Sequence, residues 1–179
     1  MRDRLRTTWL TVEFFTHSHR ISGRVDVHQL KLADQLNDQS TQFLRLEEAY
    51  VSNIERPADI VANHEDAFLW KDKIVAVLVA RQEDALPRER SYGSYFGTHL
   101  SRVFITLPAF EVRGYLRLSS KLDMRLVLTT GTDDFVLIQN GEMRSAIRPD
   151  LVFGSDAILI QKRYVEVFWT EEDSGAENG

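Results

Sequence analysis

The 179-residue chain contains no cysteine. A disulfide framework, a thiolate zinc site, an iron–sulfur cluster and a cysteine nucleophile are thereby excluded. Proline and glycine are sparse, at four and nine residues, which rules out collagen-like and low-complexity classes. Long apolar runs are missing as well. The longest, Ile74 to Ala80, has seven residues, far below the ~20 that a membrane-crossing helix requires. Basic charge is not in excess: 22 Lys and Arg stand against 27 Asp and Glu, a formal net charge of −5. That balance argues against a globally basic nucleic-acid coat, although not against a local patch. Neither a Gly-x-Ser-x-Gly elbow nor a Gly-x-x-x-x-Gly-Lys phosphate loop occurs. The carboxylate pairs Glu47-Glu48 and Asp133-Asp134 are adjacent, so on a strand they project to opposite faces. No cofactor and no reaction is implied.

What is present is the composition of a folded chain, 43% hydrophobic and 10% aromatic. At this length roughly 70% of the unfolded surface can be buried, enough for a core without covalent staples. The segment Met1 to Arg6 is basic, yet Thr11 and Glu13 interrupt the apolar residues behind it. That pattern is not a signal peptide, and the expected compartment is the cytoplasm. Thr170 to Gly179 carries four acids and no base and reads as a disordered tail.

The strongest signal is internal. Ile21-Ser22-Gly23-Arg24-Val25 aligns with Val112-Arg113-Gly114-Tyr115-Leu116 at an offset of 91. Lys31-Leu32 falls on Lys121-Leu122 at 90, and Phe43-Leu44-Arg45-Leu46 on Phe135-Val136-Leu137-Ile138 at 92. Arg56-Pro57 meets Arg148-Pro149 at 92, and Ala67-Phe68-Leu69 meets Ala157-Ile158-Leu159 at 90. Ordered segments with nearly constant offsets indicate two copies of one unit, about 12–79 and 103–169. The expected organisation is a first unit over 1–80, a connector over 81–101, a second unit over 102–169 and the tail over 170–179.

Each unit reads as strands. Val112, Gly114, Leu116 and Leu118 alternate strictly, and Val12, Phe14, Ile21, Gly23 and Val25 nearly so, with His17-Ser18-His19 as a turn. Leu32 and Leu36 are four apart and suit one helical turn. Phe43 to Val51 and Phe135 to Met143 are strands, the second interrupted by Asn140-Gly141 as a hairpin turn. Lys71-Asp72-Lys73 and Gln161-Lys162-Arg163 read as turns between paired strands or as polar faces of one long strand. Gly23 and Gly114 mark bends inside strands. Pro57 and Pro149 mark turns, with Arg56 and Arg148 free to pair with Glu55 and Asp150. The expected fold is mostly β: an internal duplication of a small barrel or sandwich, the two copies packed with pseudo-twofold symmetry.

Gly23-Arg24-Val25, Asp34-Gln35-Leu36-Asn37, Phe43-Leu44-Arg45-Leu46-Glu47-Glu48-Ala49 and Leu69-Trp70-Lys71-Asp72-Lys73-Ile74-Val75 together resemble a family of small bacterial β-domains with no assigned activity. More distantly, their order resembles the Sm-like fold, a five-stranded small barrel that forms rings and often binds uridine-rich RNA. Lys71-Asp72 stands where that fold has an Arg/Lys-Gly pair, and Met124 and Val127 stand at the Asp and Asn positions of the second copy. The resemblance implies the architecture more firmly than the RNA contacts.

Three functional classes follow. The leading one is a non-enzymatic interaction or assembly module, its partner another protein or a second copy, because the positions shared by both copies are glycine, proline and apolar residues. The second is single-stranded RNA or DNA binding through Arg81, Arg88, Arg90, Tyr92 and Tyr95, with Lys71, Lys73, Lys162 and Arg163, which would combine charge with stacking faces. The third is a metal-dependent enzyme using His17, His19 and His64; on a strand, His17 and His19 would share a face.

Overall fold

A computed structural model describes residues 8–87, 99–118, 128–129 and 133–170. The first half runs β1 (Trp9–Phe15), β2 (His19–Asp26), helix α1 (Leu32–Asn37), β3 (Phe43–Asn53) and β4 (Arg56–Trp70). A 3-10 turn (Lys71–Lys73) then leads to β5 (Ala76–Val79), and a short helix α2 (Gln82–Ala85) follows. The second half runs β6 (His99–Leu107), β7 (Phe110–Leu118), β8 (Phe135–Ser145) and β9 (Val152–Gln161). It closes with a 3-10 turn (Lys162–Tyr164) and β10 (Val167–Thr170).

All ten strands belong to one antiparallel sheet in the order β10-β6-β7-β8-β9-β5-β1-β2-β3-β4. Among the described residues no closed barrel forms: where two small barrels or sandwiches were expected, both units belong to a single sheet. The pairings of the two halves match step for step. β1–β4 form a meander, and β5 returns to pair with β1 (Phe14↔Val77). β6–β9 form a second meander, and β10 returns to pair with β6 (Ile105↔Phe168). The 3-10 turns are therefore corners that send the fifth strand across to the first, rather than turns between paired neighbours. In each corner an amide closes on a lysine carbonyl three residues back, Ile74 on Lys71 and Val165 on Lys162, both at 3.1 Å.

The halves are joined where β5 pairs with β9 through Ala76↔Ile160, Val77↔Leu159, Leu78↔Ile158 and Val79↔Ala157. A fifth strand of one half thus meets a fourth strand of the other. The expected pseudo-twofold packing would pair like with like, and the junction is instead head to tail. These pairings also set the equivalence of the closing strands. Phe43 faces Trp70 and Phe135 faces Gln161, so Phe68 corresponds to Leu159 and Trp70 to Gln161. The closing offset is 91, one more than the sequence alignment suggested. A one-residue slip exchanges the faces of a strand.

Two cores result, one per half, on opposite faces of the sheet where it crosses the seam. Val77 and Val79 point into the first core with Leu159 and Ala157, while Ala76 and Leu78 point into the second with Ile158 and Ile160. Burial on both faces explains why Ile74 to Ala80 is the longest apolar run in the chain. Each Val, Leu or Ile buried there contributes about 1.5–3 kcal/mol.

The sheet bends within each half at an interior glycine. Glu48 (φ 50°) and Asn140 (φ 47°) adopt left-handed backbone, and the register shifts opposite Gly23 and Gly114. Asn140-Gly141 is therefore a bulge inside a continuous β8, not the hairpin turn its sequence suggests. A Cβ on Gly114 would lie 2.5 Å from Ile138 Cγ2 and 3.0 Å from the Gln139 carbonyl. On Gly23 it would meet Leu46 at 3.3 Å and the Ala49 backbone at 3.7 Å.

Candidate functional site

Strand β4 forms one end of the sheet and β10 the other. On β4, alternation directs Ala67 and Leu69 toward the first core, so Asp66, Phe68 and Trp70 face outward. Phe43 on β3 lies opposite Trp70 and joins them. Its ring meets Phe68 edge-on at 5.1 Å and Trp70 at 5.9 Å. The three aromatic residues are 43%, 56% and 50% exposed. On β10, Phe168 packs on the second core, while Val167 and Trp169 are 54% and 55% exposed.

Their counterparts at the seam are covered. Phe135, Leu159 and Gln161 are 5%, 3% and 4% exposed. Phe135 and Leu159 enter the first core across the junction, and Ala76 and Leu78 enter the second. Polar contacts line the same junction. With its amide oriented to satisfy both neighbours, Gln161 donates to the carbonyls of Ile74 and, at 3.2 Å, Lys71. Asn37 Oδ1 accepts from the amides of Asp134 (2.9 Å) and Phe135 (3.1 Å). Ser155 Oγ donates to the Val79 carbonyl at 2.6 Å, and the Tyr164 hydroxyl donates to the Asp72 carbonyl.

A cavity of about 380 Å³ opens beside the seam, lined in part by Asp38, Thr41, Lys71, Asp72, Asp134 and Arg163. Lys71 is buried, and its Nζ donates to the Asp38 carbonyl (2.9 Å) and to Thr41 Oγ1 (2.8 Å). Burial pulls its ammonium below the usual lysine value, while Asp38 and Asp134 push back. Hydrogen bonds from Ser40 hold the Asp38 carboxyl below its ordinary range. Three carboxylates against two cations do not suit a phosphate-bearing ligand.

Protein-family models, curated proteins and solved structures give no match to this chain.

The nucleic-acid candidates do not gather into a stripe among the described residues. Lys71 is spent on the 37–42 loop. Lys73 pairs with Asp72 at 3.1 Å, and Arg81 pairs with Glu83 and Asp84, both at 2.9 Å. Lys162 and Arg163 sit on the second corner, with the Arg163 guanidinium 5.6 Å from the Tyr164 ring. Arg88, Arg90, Tyr92 and Tyr95 lie outside the described residues. The histidines separate too. His17 lies in the β1–β2 turn with its ring on Tyr164, His19 bonds Ser18 Oγ through Nδ1 at 2.8 Å, and His64 lies opposite Ala49 on β4. No group of three His, Asp or Glu side chains arranged to hold a metal occurs among the described residues.

Pro149 sits in a turn, and Pro57 lies in β4 just after one. Arg148 pairs with Asp150 at 2.6 Å and also donates to the Glu55 carbonyl at 2.9 Å, tying the two turns together. Arg56 approaches Asp59 rather than Glu55, at 3.9 Å. Sequence reasoning missed the outward row of Phe43, Phe68 and Trp70 at one end of the sheet and the exposed Val167 and Trp169 at the other. Alternation places Phe68 and Trp70 on one face, but only the strand order reveals that no described strand lies beyond them.

Proposed function

We propose that this protein is a non-enzymatic assembly module, built from two copies of one five-stranded, Sm-like unit, that associates through the ends of its sheet. The observation that carries this reading is the aromatic row of Phe43 on β3 with Phe68 and Trp70 on the edge strand β4. Isolated exposed apolar residues are ordinary, but a contiguous row marks an interaction surface. An open edge adds unpaired backbone donors and acceptors to the same surface. The 56–66 stretch of β4 carries Pro57, Asp59, Glu65 and Asp66 beside the exposed Ile60 and Val61, while 67–70 carries neither proline nor charge. The matching halves support the reading as well, since Asp72 and Lys73 of one corner give way to Arg163 and Tyr164 in the other while the leading lysine and the backbone paths agree.

The test is the mass in solution, followed by light scattering over a hundredfold range of concentration. The expected result is species heavier than the 20.7 kDa chain that fall to one chain when Phe68 is replaced by Asp. A folded wild-type protein that stays at one chain mass throughout would overturn the reading.

A further inference from the structure

The seam inside the chain specifies what the open ends should meet. Strand β5 offers a fifth-strand edge and is covered by β9, a fourth-strand edge. Among the described residues the same two kinds of edge remain unpaired at the ends of the sheet, β10 as a fifth strand and β4 as a fourth. They lie at opposite ends of the sheet order, so among the described residues β4 and β10 of one chain do not pair with each other.

We infer that β4 of one chain pairs antiparallel with β10 of a second copy, in the register that β9 and β5 use within the chain. This inference rests on the assembly reading above and names its partner and polarity. Transferring the internal register residue by residue gives Leu69↔Val167, Phe68↔Phe168, Ala67↔Trp169 and Asp66↔Thr170 across the new junction.

The faces agree with this transfer. Ala76 and Leu78 cross the internal seam into the core of the other half, and their counterparts Val167 and Trp169 are the exposed residues of β10. Phe135 and Leu159 cross in the opposite direction, and their counterparts are the exposed Phe43 and Phe68. Every exposed apolar residue in this set occupies a position that is covered at the internal seam. A twofold pairing of β4 with β4 would cover the aromatic row and leave Val167 and Trp169 in water. The head-to-tail pairing covers both. Because it joins unlike surfaces, each added chain uses one of its ends and presents the other, and assembly continues until a ring closes or a filament grows.

The absence of cysteine allows a background-free test. Directly opposed strand residues have Cα atoms about 4.5–5.5 Å apart, within disulfide range. Asp66→Cys and Thr170→Cys chains are prepared separately, mixed and oxidised, with thermal melts to verify folding. Leu78↔Ile158 provides the template for a second pair, Trp169→Cys with Ala67→Cys. The expected result is a covalent two-chain product in each mixture, absent from either variant alone, with the joined peptides identified by mass spectrometry. Dimers from Asp66→Cys alone would overturn the head-to-tail pairing in favour of β4 against β4. Oligomers that cross-link in neither mixture would overturn the register while leaving self-association intact. Folded variants that remain single chains, together with a single-chain wild type, would overturn both readings.

Discussion

The seam and the outer edges of this sheet are made of corresponding residues in opposite surroundings. At the seam, Leu159 of β9 lies in the first core; at the outer edge, its counterpart Phe68 lies in water. Both are large and apolar, and both follow an alanine-containing stretch near a polar corner. The amino acid at such a position does not decide its burial. The strand that lies beside it does. An edge whose residues match those of a buried seam is suited to being covered, and the difference between the two regions is then a missing neighbour.

The contrast is sharpest under substitution. Leu159→Ala should cost about 2–5 kcal/mol in urea unfolding, because it empties a packed site. Phe68→Ala, at the equivalent position, should change the stability of the dissociated chain by less than about 1 kcal/mol. Equal losses at both sites would break the comparison.

The bends give a second, smaller contrast. Gly114→Ala drives a Cβ against Ile138 and the β8 backbone, and should cost about 1–3 kcal/mol as an overpacked site. Gly23→Ala places its Cβ 3.3 Å from Leu46 Cβ and 3.7 Å from the Ala49 backbone, looser than the contacts at Gly114, and should cost less than half as much by the same unfolding measurement. A larger loss at Gly23 would show that the two bends are not built alike.

Charge effects should be smaller still. Lys71 titrates below the usual lysine value in the folded chain, so the unfolded chain binds more protons between the two values. Stability should therefore rise as pH increases through that window, and Lys71→Met should remove the rise in an alkaline series of urea unfolding curves. The smallest effect concerns Asp150, whose carboxyl is held below its ordinary value chiefly by a hydrogen bond from Arg148. Its stabilising contribution is present above the unfolded carboxyl value and disappears as pH falls through the folded one. Asp150→Asn should lower neutral stability slightly, leave stability below the folded carboxyl value unchanged, and so flatten the acid limb.

Much of the strand content was legible because period-two patterning is a local property. Val112 to Leu118 lies within β7, and the seven-residue apolar run contains β5, buried on both faces. The register shifts fall opposite Gly23 and Gly114, the two glycines that interrupt an alternating strand pattern. Asn140-Gly141 misled because left-handed backbone serves a bulge as well as a turn. Its counterpart Glu48-Ala49, also left-handed at its first residue, carries no turn signature. The seam was not legible. Ala67-Phe68-Leu69-Trp70 and Ala157-Ile158-Leu159-Ile160 are equally apolar, and which of them is covered depends on the order of strands in the sheet. The edge row was hidden for the same reason.

The equivalence of seam and edge is tested most directly by amide hydrogen exchange at two protein concentrations. The account predicts that amides of 76–79 and 157–160 are protected at both, while those of 67–70 and 167–170 gain protection together as concentration rises. Protection at 67–70 and 167–170 that does not change with concentration would contradict it.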